Sequence, residues 1–176
     1  MSIRPWHAAL LLPLSSLVLL AGCAQNDVPE AVISPATETA MPQLVSAAEL
    51  IEAADVPTID PHTLRYPMIE AVIGSGPFCA FHYTREGDPV LGISPGPLDG
   101  APAGVVMLNG DLLALEAAPA TLGLVLSAGA IRFTILAEDG ESATLAPSPL
   151  EEATMLFEVG DQLLVGYGGY YGCAPA

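Results

Sequence analysis

GVVMLNGDLLALE, residues 104–116, sets Asn109-Gly110 between two apolar arms. Asn-Gly supplies the two positive-φ positions of a type I′ turn, whose twist suits a pair of antiparallel strands. Working outward, the same punctuation recurs. Asp139-Gly140 stands between arms 131–136 and 141–145, and Gly160-Asp161 fits a type II′ turn between 155–159 and 162–167. Ile131, Phe133 and Ile135 share one face of their arm, while Arg132 and Thr134 share the other. Stretches 78–84 and 90–93 form an earlier pair, and 121–127 adds one more strand. About nine short strands with regular turns predict an all-β fold, a small antiparallel sandwich or barrel. A barrel in an outer membrane needs strands of about 9–11 residues. The arms here are shorter and are interrupted by Gly and Pro.

Before the strands, the chain changes character. Residues 24–45 are rich in Ala, Pro, Thr, Val and Glu, with prolines at 29, 35 and 42. Proline lacks the donor and the φ freedom that regular structure needs, so this stretch reads as a disordered, extended tether. Ser46-Ala-Ala-Glu49 is a capping box: the serine can satisfy the N3 amide while the glutamate reaches back. A short helix is expected near 46–54, with Leu50 and Ile51 as its apolar face and Pro57 as its stop. Asp60-Pro61 can open a second brief turn that Pro67 would end. The expected division is 1–22 as signal peptide, 23–60 as tether with its short helix, and 61–176 as the β domain.

The first two dozen residues look like a bacterial lipoprotein signal. Arg4 and His7 precede an uncharged apolar run, residues 8–20, and Leu20-Ala21-Gly22 leads into Cys23. A charged start, an apolar centre of about 7–15 residues and a small-residue site define a secretory signal. The resemblance implies cleavage before Cys23, lipid on its thiol and acylation, such as palmitate, on its new amino group. Several acyl chains hold a protein stably where one does not. The apolar run is shorter than the roughly 20 residues of a spanning helix. Ala24, rather than Asp, follows the cysteine, which by the sorting rules of such lipoproteins implies the outer membrane, with the domain in the periplasm.

Charge and cysteines fit that setting. The 176-residue chain carries 20 acidic residues, four arginines and no lysine, a formal charge of −16. Without residues 1–22, 20 acids face only Arg65, Arg85 and Arg132, which leaves −17. Such a field repels nucleic acid and attracts basic protein partners. With Cys23 lipidated, Cys79 and Cys173 remain as an even pair in an oxidising compartment. A disulfide between them closes a loop of roughly 100 residues, worth up to about 4.7 kcal/mol of chain entropy. Cys79-Ala-Phe-His82 offers half of a metal site, with no second pair of ligands. No metal or other cofactor is expected.

Motifs that suggest catalysis fail on physical grounds. Gly92-Ile-Ser94-Pro-Gly96 spells a nucleophile elbow, but the oxyanion hole needs the N–H of the residue after the serine, and Pro95 has none. His82, between Phe81 and Tyr83, reads as a half-exposed strand residue, and His62 has no nucleophile to serve. The pairs Glu138-Asp139 and Glu151-Glu152 are expected in solvated turns rather than across a cleft. Gly166-Tyr-Gly-Gly-Tyr-Tyr-Gly172 leaves two readings open. Its glycines can let the last strand bend toward Cys79 while its tyrosines close the core. Alternatively Tyr167, Tyr170 and Tyr171 form an exposed rim that contacts a partner, as tyrosine often does.

The mature domain resembles the membrane-bound inhibitors of c-type lysozyme. The resemblance rests on the lipobox, Cys79 at the first strand, the hairpin of residues 105–115, the terminal Cys173, and Ser127-Ala-Gly129-Ala-Ile-Arg132-Phe133. It implies a β-barrel closed by a disulfide between an early strand and the C-terminus, and a loop that enters the lysozyme cleft. Ala128 and Phe133 stand where that loop has a serine and a tyrosine, and the family's lysine is missing, so no inhibitory residue carries over. The expected function is non-catalytic binding or scaffolding in the cell envelope, with inhibition of c-type lysozyme as the alternative.

Overall fold

Asn109 and Gly110 turn as their chemistry dictates, with φ of 52° and 90°, and the arms beside them pair from Gly104↔Leu115 to Leu108↔Asp111. The structure, a computed structural model, describes residues 40–54, 56–96, 102–118, 123–137, 143, 145 and 148–173. Its strands are β1 (Leu44–Val45), β2 (Pro61–His62), β3 (Cys79–His82), β4 (Pro89–Ile93), β5 (Gly104–Leu108), β6 (Asp111–Ala118), β7 (Leu124–Ala128), β8 (Ile131–Ala137), β9 (Ser148–Val159) and β10 (Leu163–Cys173). Helices α1 (Ala47–Ala53) and α2 (Tyr66–Ile73) and a 3-10 turn, Val56–Thr58, complete it. From β3 to β10 each strand pairs antiparallel with the next, and β10 returns to β3. The result is an eight-stranded up-and-down barrel with two extra short strands.

The alternation read from the sequence fills the barrel. Phe81, Leu91, Val106, Leu115, Leu126, Ile131, Phe133, Ile135, Met155 and Phe157 are all fully buried. Phe133 and Phe157 stack at 4.8 Å and 10°. Among the described residues, no polar or charged side chain is buried. An apolar interior is the reverse of an outer-membrane barrel, whose interior is polar and whose apolar band faces outward.

Four turns, β3–β4, β5–β6, β7–β8 and β9–β10, lie at one end of an up-and-down barrel, and the N-terminal segment covers it. Ala47, Leu50, Val56 and Ile59 join the core cluster. Ser46 caps α1, its hydroxyl accepting from the Glu49 amide while Glu49 accepts from the Ser46 N–H at 2.9 Å. Strand β1 runs parallel to β6 at Leu112 and Leu113, and β2 pairs with the end of β5 at Met107 and Leu108. Helix α2 docks on the outside, where Leu64, Met68, Ile69, Val105 and Leu112 form a second cluster. It packs over Gly92, where a Cβ would come 2.9 Å from Ile69 Cγ2.

Several expectations are corrected. Among the described residues, the strand that pairs with β8 after its turn is β9, from Ile131↔Val159 to Ala137↔Ala153, and of the expected arm 141–145 only Ala143 and Leu145 are described. Ala143 and Leu145 lie outside any strand, and Asp139-Gly140 falls outside the described residues. Pro67 does not end a helix but sits in the first turn of α2, where its missing N–H costs nothing. Asp60-Pro61 leads into β2 instead. Ala40–Ala176 forms one compact unit, so the 46–54 helix assigned to the tether, and Leu44–Val45, pack with the barrel.

Truncation should distinguish the two faces of the wall. Phe133→Ala is expected to lower unfolding stability by about 3–5 kcal/mol. Leu164→Ala, at a position 68% exposed, should change it by no more than about 0.5 kcal/mol. Urea denaturation of the oxidised chain measures both, and equal losses would contradict the assignment of faces.

Candidate functional site

The longest hairpin, β9–β10, carries the C-terminal tyrosines, and its register assigns each a side. Val165 lies opposite Phe157, Tyr167 opposite Met155 and Gly169 opposite Ala153, so these residues point inward with their partners. Tyr170, opposite Glu152 and His82, stands on the outside. Tyr171 and Cys173 face inward again, opposite Phe81 and Cys79 on β3. The Cys79–Cys173 disulfide forms there. The Tyr171 hydroxyl lies 3.7 Å from Cys173 Sγ, and an oxidised sulfur can only accept.

The three tyrosines therefore do three different jobs. Tyr171 belongs to the core, 6% exposed. Tyr167 is half-buried, its ring 5.5 Å from that of Tyr83, and its hydroxyl donates to Asp60 Oδ1. Tyr83 donates to the Pro61 carbonyl at 2.9 Å, so this pair ties the barrel wall to the covering segment. Tyr170 alone belongs to the outer face. The Arg85 guanidinium lies 4.5 Å from its ring centroid and donates to the Leu150 carbonyl at 2.8 Å.

Beside Tyr170 the wall opens into a groove of about 370 Å³, lined by Tyr83, Glu152, Thr154, Gly168, Gly169 and Tyr170. Two features of β10 make it. Pairing with β3 stops at Tyr170↔His82, and Gly168 brings no side chain opposite Thr154. Gly169 must be glycine, because a Cβ there would lie 2.2 Å from the His82 carbonyl oxygen. The groove offers a carboxylate, a hydroxyl and a phenol ring. That set can meet a cationic or hydrogen-bonding group.

The remaining expected residues lie apart from this groove or beyond the described chain. His82 Nδ1 donates to the Gly87 carbonyl at 2.7 Å, and His62 is exposed on β2. Ser94 follows β4 and its N–H donates to the Ala103 carbonyl at 2.9 Å. Glu151-Glu152 lie within β9, exposed, and not in a turn. Cys23 and Glu138-Asp139 fall outside the described residues. Residues 127–133 form a tight β7–β8 hairpin whose Gly129 turn packs near Ala47 of α1, with Phe133 in the core. Sequence reasoning missed Tyr83, Arg85 and Thr154. The scarcity of cations was the one available signal, since Arg85 is among three left after residue 22.

Burial shapes the titration of the inner tyrosines. Desolvation, with the Asp60 charge adding to it, pushes Tyr83 up to about 12. Tyr167 is raised by desolvation, then by its bond to Asp60, the Asp60 charge and Tyr83. Tyr171 is raised by desolvation alone.

A family model described as Domain of unknown function (DUF6692) matches residues 19–176, and the chain belongs to that family. No curated protein and no solved structure matches it.

Tyr83, Tyr167 and Tyr171 are all raised, so the folded chain holds protons that the unfolded chain releases above about pH 10. Stability is therefore expected to be level up to about pH 9.5 and to fall as the pH rises beyond it. Urea midpoints taken across that range measure the effect, and a flat profile to pH 11 would contradict the packing of these rings.

Proposed function

We propose that this member of the DUF6692 family is a bacterial envelope lipoprotein, anchored at the outer membrane through lipid on Cys23. In this reading its barrel is a non-catalytic periplasmic module that binds or scaffolds a partner. The anchor reading is supported by Leu20-Ala21-Gly22-Cys23, which the matched region includes. The binding reading is carried by one observation: the barrel is filled with apolar side chains, and its contact chemistry stands outside, on Tyr170, Glu152 and Thr154 beside the groove. Aromatic anchors beside a recess are typical of residues that dominate interface energies. A charge of −17 favours a basic protein partner and raises its on-rate.

Inhibition of c-type lysozyme is the second reading. It is favoured by the disulfide that joins the first barrel strand to the C-terminus, the closure that the resemblance implies. The burial of Phe133 leaves any such inhibition to surfaces other than the 127–133 hairpin.

Two measurements test these readings. Expressed in a bacterium fed labelled palmitate, the full chain should take up label and fractionate with membranes, and Cys23→Ala should abolish both. Label retained by the variant would overturn the anchor. The oxidised full chain in detergent should then retain an envelope protein, with affinity about tenfold weaker for Tyr170→Ala. Stoichiometric, salt-sensitive loss of lysozyme activity would establish the second reading instead.

A further inference from the structure

At the end of the barrel that carries the four hairpin turns, three pairs of neighbouring strands part before their ends. β6 pairs with β7 only from Glu116 to Ala118, and β1 fills the parted seam at Leu112 and Leu113. β4 pairs with β5 only up to Leu91↔Val106, and β2 fills that seam at Met107 and Leu108. The third seam lies between β10 and β3. β10 pairs with β9 along its length, but with β3 only through residues 170–173. Among the described residues, no strand pairs with 163–169 on that side, where the His82 carbonyl lies against Gly169 and the Tyr83 ring against Tyr167.

We propose that residues 163–169 of β10 are an acceptor edge for an extended, basic peptide segment of a partner protein, which adds as a strand along the open seam. The proposal rests on the binding reading above and names the surface and the partner's chemistry. An unpaired edge presents alternate N–H and C=O groups to any extended chain. The seam is already closed from within, where the Tyr83 and Tyr167 rings meet at 5.5 Å, so a guest strand need not rebuild the core.

Charge selects the occupant. Residues 163–172, LLVGYGGYYG, hold no charge and no proline, which are the usual guards against edge-to-edge pairing. A net −17 supplies the guard instead: it sets two copies against each other while drawing a basic segment in. The surroundings agree. Asp161 stands at the turn that starts β10, and Asp60 is held at Tyr167. Glu152 lies in the groove where β3 departs, placed to meet a lysine or arginine side chain from the guest strand. The nearby cation, Arg85, is engaged by Tyr170 and the Leu150 carbonyl.

The test uses the full oxidised chain in detergent with three nine-residue peptides. One alternates lysine and valine, the second has glutamate for lysine, and the third is the first with alternate backbone nitrogens methylated. Amide hydrogen exchange by NMR reads the site. In the free protein, seam-facing amides among 163–169 should exchange about 100-fold faster than those paired to β9. The lysine peptide should slow them at least about tenfold, and the other two should bind at least about tenfold more weakly. Protection elsewhere, or equal binding of the methylated peptide, would overturn the seam and leave the binding reading standing. Equal binding of the glutamate peptide, or no binding of the lysine peptide, would overturn the basic occupant. Protection of the same amides by raising protein concentration alone would assign the seam to a second copy and overturn the proposal.

Discussion

Everything in this structure depends on joining the first barrel strand to the last. The two meet through only four residue pairs, Cys79↔Cys173 to His82↔Tyr170, across a sequence separation of 94. Every other strand pairing in the barrel wall joins strands consecutive along the chain and is cheap in loop entropy. This one is not. The Cys79–Cys173 disulfide sits at that junction and removes much of the entropy the unfolded chain would otherwise keep. Phe81 and Tyr171 face inward across the same junction. The close approach costs side-chain freedom in β10: at Gly169 a Cβ would meet the β3 backbone and the Phe81 ring.

The brevity of that closure links fold to function. β3 is four residues long and β10 eleven. The longer strand, paired with β9 on its other side, therefore runs on with no strand partner among the described residues on the β3 side after the shorter one ends. The groove beside Tyr170 opens where the two part, and the Tyr83–Tyr167 pair seals the interior beneath. Arg85 crosses Tyr170 to reach Leu150 of β9, so a side chain braces the junction on its outer side. Glycines, tyrosines and the last cysteine thus answer one geometric demand.

Much of this was legible because it is local. Asn109-Gly110 needs two positive φ angles, and the alternation of Ile131, Phe133 and Ile135 needs only a strand and a core. The capping box of Ser46 and Glu49 needs one turn of helix. Cys79 and Cys173 were paired from compartment and number. The rest depends on tertiary pairing. β1 and β2 are two-residue strands that exist only because parted seams receive them. The glycine-rich stretch 166–172 has weak strand propensity, which hid the full length of β10. The sequence also could not divide Tyr167, Tyr170 and Tyr171 between core and surface, since that depends on which residues lie opposite them. Tyr83 and Arg85 gain their roles only from where β3 stops.

The most direct measurement compares the urea stability of the oxidised chain with that of the same chain kept reduced. If closure between β3 and β10 governs the barrel, opening the Cys79–Cys173 bond should remove about 4–5 kcal/mol, the loop-entropy value for a link of this span. A loss below about 1 kcal/mol would mean that the two strands are held by other means, and would contradict the account.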